Sequence, residues 1–297
     1  MSEEGFIPTG QGRVWYRIVG DRGGGAIPLL VVHGGPGLPS DYLEPLAELA
    51  ALPEGRPVVF YDQLGCGRSD RPSPGPWVTE YFVGELGTVR RALGLDRVHL
   101  YGHSSGSQIA VDYALMRPEG VASYVLANPP LSIPRWLDDL ARFRAALPAE
   151  VRQVLDRCEA AGTTAGDEYS RATRVFYDRH FCRLSPWPQP LERAMEGYSD
   201  EVYRAMWGAS EFCMTGILKD YDRAARLGEI AAPVLFLCGR FDEATPETTA
   251  WYRSLVPGAE MAVIEDGSHT PHLEQPAATL AAVRDFLERV ESGLAGA

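Results

Sequence analysis

The residues best suited to covalent chemistry lie in Gly102-His103-Ser104-Ser105-Gly106, a G-x-S-x-G pentapeptide. A serine hydroxyl is a weak nucleophile until a neighbouring base takes its proton, and that base needs an acid to fix its tautomer. Ser104 is the candidate nucleophile, because Ser105 would need glycine where His103 stands. An acid and a base follow in the chain order serine, acid, histidine that such a site requires. Asp242 lies in Cys238-Gly239-Arg240-Phe241-Asp242-Glu243, and His269 in Asp266-Gly267-Ser268-His269. Glu243 and Asp266 compete for the acid's role, but Gly239 places Asp242 immediately behind an apolar run. Among the other histidines, His272 shares the loop of His269 and is read as a packing residue. His99 falls inside a strand pattern, and His180 inside a helical one. His103, in the free position of the pentapeptide, is expected to orient the turn.

Acyl transfer also needs backbone N–H groups aimed at the negative charge that develops on the carbonyl oxygen. The residue after the nucleophile, Ser105, supplies one. The second is expected from Gly35 in His33-Gly34-Gly35-Pro36-Gly37, where side-chain-free residues let the backbone approach a substrate and Pro36 stiffens the loop. No C-x-x-C pair or other ligand spacing is present, so neither a metal nor a cofactor is expected.

These residues need elements to hold them. Arg97-Val98-His99-Leu100-Tyr101 reads as a buried strand, and Gln108–Met116 as the helix behind the serine. Further strands are predicted at Arg13–Val19, Pro28–Val32, Pro57–Asp62, Val121–Ala127, Pro233–Cys238 and Glu260–Ile264. Helices are predicted near Ser40–Ala51, Val78–Leu93 and Pro276–Glu291. Asp21-Arg22-Gly23-Gly24-Gly25 is a turn, since it lacks a Walker lysine and leads into no helix. Strands alternating with helices give an α/β fold with a mostly parallel central sheet and helices on both faces. Asp242 and His269 then emerge at the carboxyl ends of their strands, where ligand sites gather, on the same edge as Ser104.

Between Pro129 and about 225 the pattern changes to amphipathic segments with almost no strand. Helices are expected over Trp136–Ala146, Glu150–Ala160, Asp167–Phe181 and Glu201–Trp207, with Pro186, Pro188 and Pro190 forming an irregular turn. The domain reading is a core of residues 1–128 and 226–297 with a helical cap, 129–225, inserted between its halves.

Composition bounds the possibilities. The 297 residues are 45% hydrophobic, enough for a sizeable core, and the net charge of −12 argues against nucleic acid as a partner. The acidic start, Met1-Ser2-Glu3-Glu4-Gly5, has no apolar stretch of the kind that targets secretion, and no run approaches the roughly 18 apolar residues of a membrane span. The five cysteines are scattered and odd in number. A reduced, cytoplasmic protein without a membrane partner is expected; its oligomeric state is not encoded in any such pattern.

Assembled, these residues resemble the proline iminopeptidase family of α/β-hydrolase-fold serine peptidases, over nearly the whole chain. His33-Gly34-Gly35-Pro36-Gly37 matches that family's oxyanion motif, and Asp62-Gln63-Leu64-Gly65-Cys66-Gly67-Arg68-Ser69 its D-Q-x-G-x-G-x-S signature. Glu211-Phe212-Cys213-Met214-Thr215-Gly216 looks like its cap, most closely that of the tricorn-associated branch. The resemblance implies release of an N-terminal residue, often proline, from short peptides or amides. It also implies that Glu211 and Glu243 hold the substrate's free amino group, for which charge-assisted hydrogen bonds are well suited. Segments near Tyr203 and Trp207 would gate the cap. Two positions depart from the pattern: Ser105 stands where a bulky aromatic is common, and His103 where a small residue is usual. An amino-acid amidase or carboxylesterase with the same triad is the alternative within hydrolases, and a non-catalytic ligand receptor the alternative outside them.

Overall fold

The computed structural model describes residues 2–23, 25–51 and 55–295. Gly24 of the expected glycine turn, and Met1 of the acidic start, lie outside them. Strands β1 (Ser2–Thr9), β2 (Gly12–Val19) and β3 (Leu29–Val32) lead to a 3₁₀ helix at Ser40–Ala51. Then follow β4 (Val58–Tyr61), α1 (Thr79–Ala92), β5 (Val98–His103), α2 (Ser105–Leu115) and β6 (Val121–Ala127). The next stretch holds α3 (Ile133–Ala145), α4 (Ala149–Ala161), α5 (Asp167–His180), α6 (Gln189–Glu196) and α7 (Asp200–Met206), then a small hairpin of β7 (Gly208–Ser210) and β8 (Cys213–Met214). Two short 3₁₀ turns return the chain to β9 (Val234–Gly239), α8 (Pro246–Leu255), β10 (Glu260–Ile264), α9 (Pro271–Glu274) and α10 (Pro276–Ala295).

The main sheet has eight strands in the order β1-β2-β4-β3-β5-β6-β9-β10. β2 pairs antiparallel with both neighbours, and all pairings from β4 to β10 are parallel. The reason for a two-faced sheet is visible in the strands themselves. Side chains alternate between faces with period two, and here both faces are apolar. Leu30, Val32, Val59, Tyr61 and Leu100 join Phe82, Leu86 and Val89 of α1 and Ile109 and Val111 of α2 in one core. Leu29, Val31, Val58, Phe60 and Tyr101 join Tyr42, Leu43 and Leu46 of the 3₁₀ helix and Val283, Phe286 and Leu287 of α10 in the other. Such continuous runs are the mark of strands covered on both sides.

The helix expected at Ser40–Ala51 is present as a 3₁₀ helix with Pro45 inside it. Two local expectations need correction. The helix behind the serine begins at Ser105, not Gln108. The prolines near 188 do not merely interrupt the chain, because Pro190 sits in the first turn of α6, where no backbone N–H is needed. Among the described residues no helix is long and apolar enough to cross a membrane.

Candidate active site

Parallel strands β3, β4, β5, β6, β9 and β10 end at one edge of the sheet, and the loops that leave them carry the candidate residues. Ser104 sits between β5 and α2 with φ 52° and ψ −128°. A side chain rarely adopts that backbone conformation, and it persists only where the surroundings impose it. Here Ser104 N–H donates to Ala127 O of β6 at 2.9 Å, while its carbonyl accepts from Ser107 N–H at 2.8 Å. Close packing completes the elbow. A Cβ on Gly106 would lie 2.2 Å from Val32 O, and one on Gly34 would lie 2.7 Å from both His103 O and Ser104 Cβ.

Asp242 Oδ1 lies 2.7 Å from His269 Nδ1. The carboxylate accepts, so Nδ1 carries the proton and Nε2 is left as the basic nitrogen. Asp242 Oδ1 also accepts from Ala244 N–H at 2.8 Å, and Oδ2 accepts from the amide of Asn128 and, at 3.4 Å, from Gly239 N–H. Asn128 directly follows β6 in a left-handed conformation, φ 55°. Nothing in Ala127-Asn128-Pro129 marks it as a site residue except an amide-bearing side chain at a strand end. The His269 backbone is held by its N–H, which donates to His180 O at 3.0 Å. Glu274 secures the preceding residue, accepting from Ser268 N–H at 2.7 Å and from Ser268 Oγ at 2.9 Å.

The Ser104 hydroxyl makes no hydrogen bond to His269 among the described residues; the two side chains meet in a cavity of about 30 Å3 that both line. Such bonds commonly tighten only around a bound substrate. Gly35, Glu211 and Glu243 line the same cavity. Among the described residues neither the Gly35 nor the Ser105 amide is spent on a protein acceptor; the latter is a first-turn amide of α2, one of the donors a helix leaves free. The loop that carries Gly35 is fixed from behind. His33 Nε2 accepts from Gln63 N–H at 2.8 Å, and Gln63 Nε2 donates to His33 O at 2.7 Å. Burial pushes the His33 imidazole down to about 4, so it is neutral. Asp62 supports this loop in turn, accepting from Ser40 Oγ and Arg68 Nε at 2.7 Å each. Burial alone would raise the Asp62 pKa, but the Arg68 guanidinium holds it below its usual value.

The carboxylates Glu211 and Glu243 come together from distant parts of the chain, the first from the β7–β8 hairpin and the second from the loop after β9. Glu243 is buried, and its Oε1 stands 3.7 Å from His269 Nε2. Its Oε2 has no hydrogen-bond partner among the described residues. Burial, with Glu211 and Asp242 close by, pushes its pKa well up. Burial also raises Glu211, to about 7, although Tyr203 and His269 act against it. Tyr203 Oη donates to Glu211 Oε1 at 2.8 Å. A buried carboxylate with an orphaned oxygen costs stability unless something cationic or a donor meets it, so this pair is suited to an ammonium.

The comparisons with known proteins follow the same lines. Residues 27–276 match the family model described as alpha/beta hydrolase fold. The chain is 45% identical over 292 residues to a proline iminopeptidase of Heyndrickxia coagulans, covering 98% of this chain and 100% of that one. The chain belongs to the proline iminopeptidase family. Among solved structures, VinJ superposes with a TM-score of 0.93 at 39% identity, covering 97% of this chain and 99% of its own. The proline iminopeptidase of Mycobacterium smegmatis follows at a TM-score of 0.89 and 36% identity, covering 98% and 100%.

In this member of the proline iminopeptidase family, the small cavity opens on a larger one of about 600 Å3. The two share Gly35, Leu38, Phe181 and Glu211. Tyr169, Tyr177, Trp187, Tyr198 and Tyr203 line the larger one, together with charged residues such as Arg174, Asp200 and Arg204. Tyr203, expected as part of a gate, is thus both a wall residue and the partner of Glu211. Trp207 is not in either lining; its ring packs edge-on against Trp136 at 5.7 Å. His272 is fully buried, with its ring 5.1 Å from that of His103.

Proposed function

We propose that this protein is a serine aminopeptidase that releases an N-terminal proline, or another small or hydrophobic residue, from short peptides or amino-acid amides. The observation that carries the reading is the convergence of Glu211 and Glu243 on the cavity of Ser104 and His269. Carboxylates at that position select a substrate that ends there in a protonated amine, because an acylated amine would leave both of them unpaired.

In this scheme Ser104 Oγ attacks the carbonyl of the first residue, and His269 Nε2 takes its proton. The Asp242 carboxylate holds Nδ1–H and steadies the imidazolium that forms. The Gly35 and Ser105 N–H groups receive the developing oxyanion. Collapse breaks the C–N bond as His269 returns the proton to the leaving amine. A water molecule, deprotonated by the same imidazole, then hydrolyses the acyl-enzyme and frees Ser104. The small cavity lies between the carboxylates and the serine, so the first residue of the substrate belongs there and the leaving portion in the larger cavity. Residues 129–225 act as a cap over the core and set the size of that portion. The five unpaired cysteines support a cytoplasmic, reduced setting.

The test is a panel of aminoacyl-naphthylamides with proline, alanine, leucine and phenylalanine at the first position. We expect turnover, with proline or a small residue preferred, and none in Ser104→Ala. A receptor without catalysis would turn over none of them, and full activity in Ser104→Ala would remove the serine from the mechanism.

A further inference from the structure

His103 occupies the free position of the elbow, and the scheme above gives it no task. It is buried, as is Tyr42 of the 3₁₀ helix. Gly34 N–H donates to Tyr42 Oη at 2.9 Å. Tyr42 Oη lies 2.9 Å from His103 Nδ1, and His103 Nε2 lies 2.8 Å from the carbonyl oxygen of His269. The ends of this chain settle every proton in it. The His269 carbonyl can only accept, so His103 Nε2 must carry a hydrogen. The neutral ring then accepts at Nδ1, and Tyr42 must donate to it. Tyr42 still has lone pairs for the N–H of Gly34, which can only donate. Burial, together with the nearby rings of His269 and His272, pushes the His103 pKa well down, so the neutral ring is the resident form.

The chain therefore runs in one direction through three loops that are distant in sequence: the oxyanion loop at Gly34, the elbow at His103 and the base loop at His269. Each is set by the next, and Tyr42 and His103 line the small cavity beside Ser104 and His269. We propose that His103 and Tyr42 are positioning residues, a neutral strut that sets the Gly35 amide and the His269 imidazole relative to Ser104. The inference rests on the roles given above to Ser104, Gly35 and His269. A misplacement of about 1 Å at such a site can cost on the order of 100-fold in rate without touching the substrate. The cost falls on the chemical step, because the carboxylates that hold the amine are not attached to the strut.

Steady-state kinetics of His103→Ala, Tyr42→Phe, the double variant and His103→Gln on prolyl-naphthylamide provide the test, alongside thermal melting. The expected result is a fall in kcat of roughly tenfold or more for His103→Ala and for Tyr42→Phe, with KM within about threefold of the parent. The double variant should lose about as much as the worse single one, since both break one chain. His103→Gln, whose amide can donate to the His269 carbonyl, should recover part of kcat. Tyr42→Phe removes one oxygen and leaves the packing, so it decides the matter even where His103→Ala does not fold. Folded variants with parental kcat, or losses that multiply in the double variant, would overturn the proposal. Residual activity in Ser104→Ala would instead show that the site reading beneath it is wrong.

Discussion

Asp242 and Glu243 are neighbours in sequence yet stand at opposite nitrogens of one imidazole: Asp242 Oδ1 is 2.7 Å from His269 Nδ1, and Glu243 Oε1 is 3.7 Å from Nε2. Their surroundings divide them. Asp242 accepts from Asn128, Ala244 and Gly239, whereas Glu243 keeps an oxygen with no partner among the described residues. Two carboxylates of similar intrinsic acidity are thereby suited to different tasks, the first to orient a base and the second to meet a cation.

Replacing the cation-meeting carboxylates should separate amine recognition from chemistry. Glu211→Gln and Glu243→Gln are each expected to lower kcat/KM for prolyl-naphthylamide by on the order of 10- to 100-fold, the worth of a charge-assisted hydrogen bond. Hydrolysis of a simple acetyl ester should change far less. Equal losses on both substrates would mean that neither residue reads the amine.

The pH profile should carry the signature of Glu211. With its carboxyl pushed up to about 7, the group is neutral below that pH and can hold an ammonium only above it. For free-amine substrates kcat/KM is therefore expected to climb through about pH 7, then fall as the substrate's α-amine loses its proton near about 8. Glu211→Gln should lose the rising limb that belongs to this carboxylate. An unchanged profile in that variant would assign the limb to another group.

The same raised pKa makes a statement about stability. Between the ordinary glutamate value of about 4.5 and about 7 the folded protein holds a proton that the unfolded chain releases, so stability declines as pH rises through that window. Glu211→Gln should thus melt higher than the parent at pH 8, with the difference shrinking toward pH 4. A lower melting temperature at pH 8 would contradict this.

A carboxylate far from the site should behave in the opposite sense. Glu291 of α10 accepts from Arg56 at 2.6 Å, from Ile27 N–H at 3.1 Å and pairs with His99 at 3.1 Å. Burial would raise its pKa, but His99 and Arg56 hold it down at about 2. A depressed folded pKa contributes stability that is present above the unfolded value of about 4.5 and is lost as pH falls toward 2. Glu291→Gln should lower the melting temperature at pH 7 and converge on the parent near pH 2. A constant gap at every pH would show that the loss is steric.

Asn128 offers a test of how firmly Asp242 must be held. Asn128→Ala removes the amide that its Oδ2 accepts from. We expect kcat to fall about tenfold while the variant still labels, more slowly, with a fluorophosphonate. Parental kcat in the folded variant would show that the remaining amides suffice.

Much of this arrangement was legible in the residues alone. The short apolar runs of β3, β4, β5 and β9 read as buried strands, and the elbow follows β5, Asp242 follows β9, and His269 lies behind the run of β10. What stayed hidden depended on three-dimensional neighbours. β1 is polar and partly exposed along Ser2–Thr9, so it lacks the apolar run that marks a strand and is held instead by register with β2. Asn128 and Tyr42 look like a loop residue and a helix-face aromatic until the loops close on them. Glu211 was reached through a family resemblance rather than through any local pattern, because the hairpin that carries it spans only Gly208 to Met214 between its outermost paired positions.

The measurement that bears most directly on the central claim is kcat/KM for prolyl-naphthylamide against its N-acetylated form, with Ser104→Ala as the control. A serine aminopeptidase that reads a free amine through Glu211 and Glu243 should favour the free substrate by at least about 100-fold, with both activities abolished in Ser104→Ala. Equal hydrolysis of the two substrates would contradict the account.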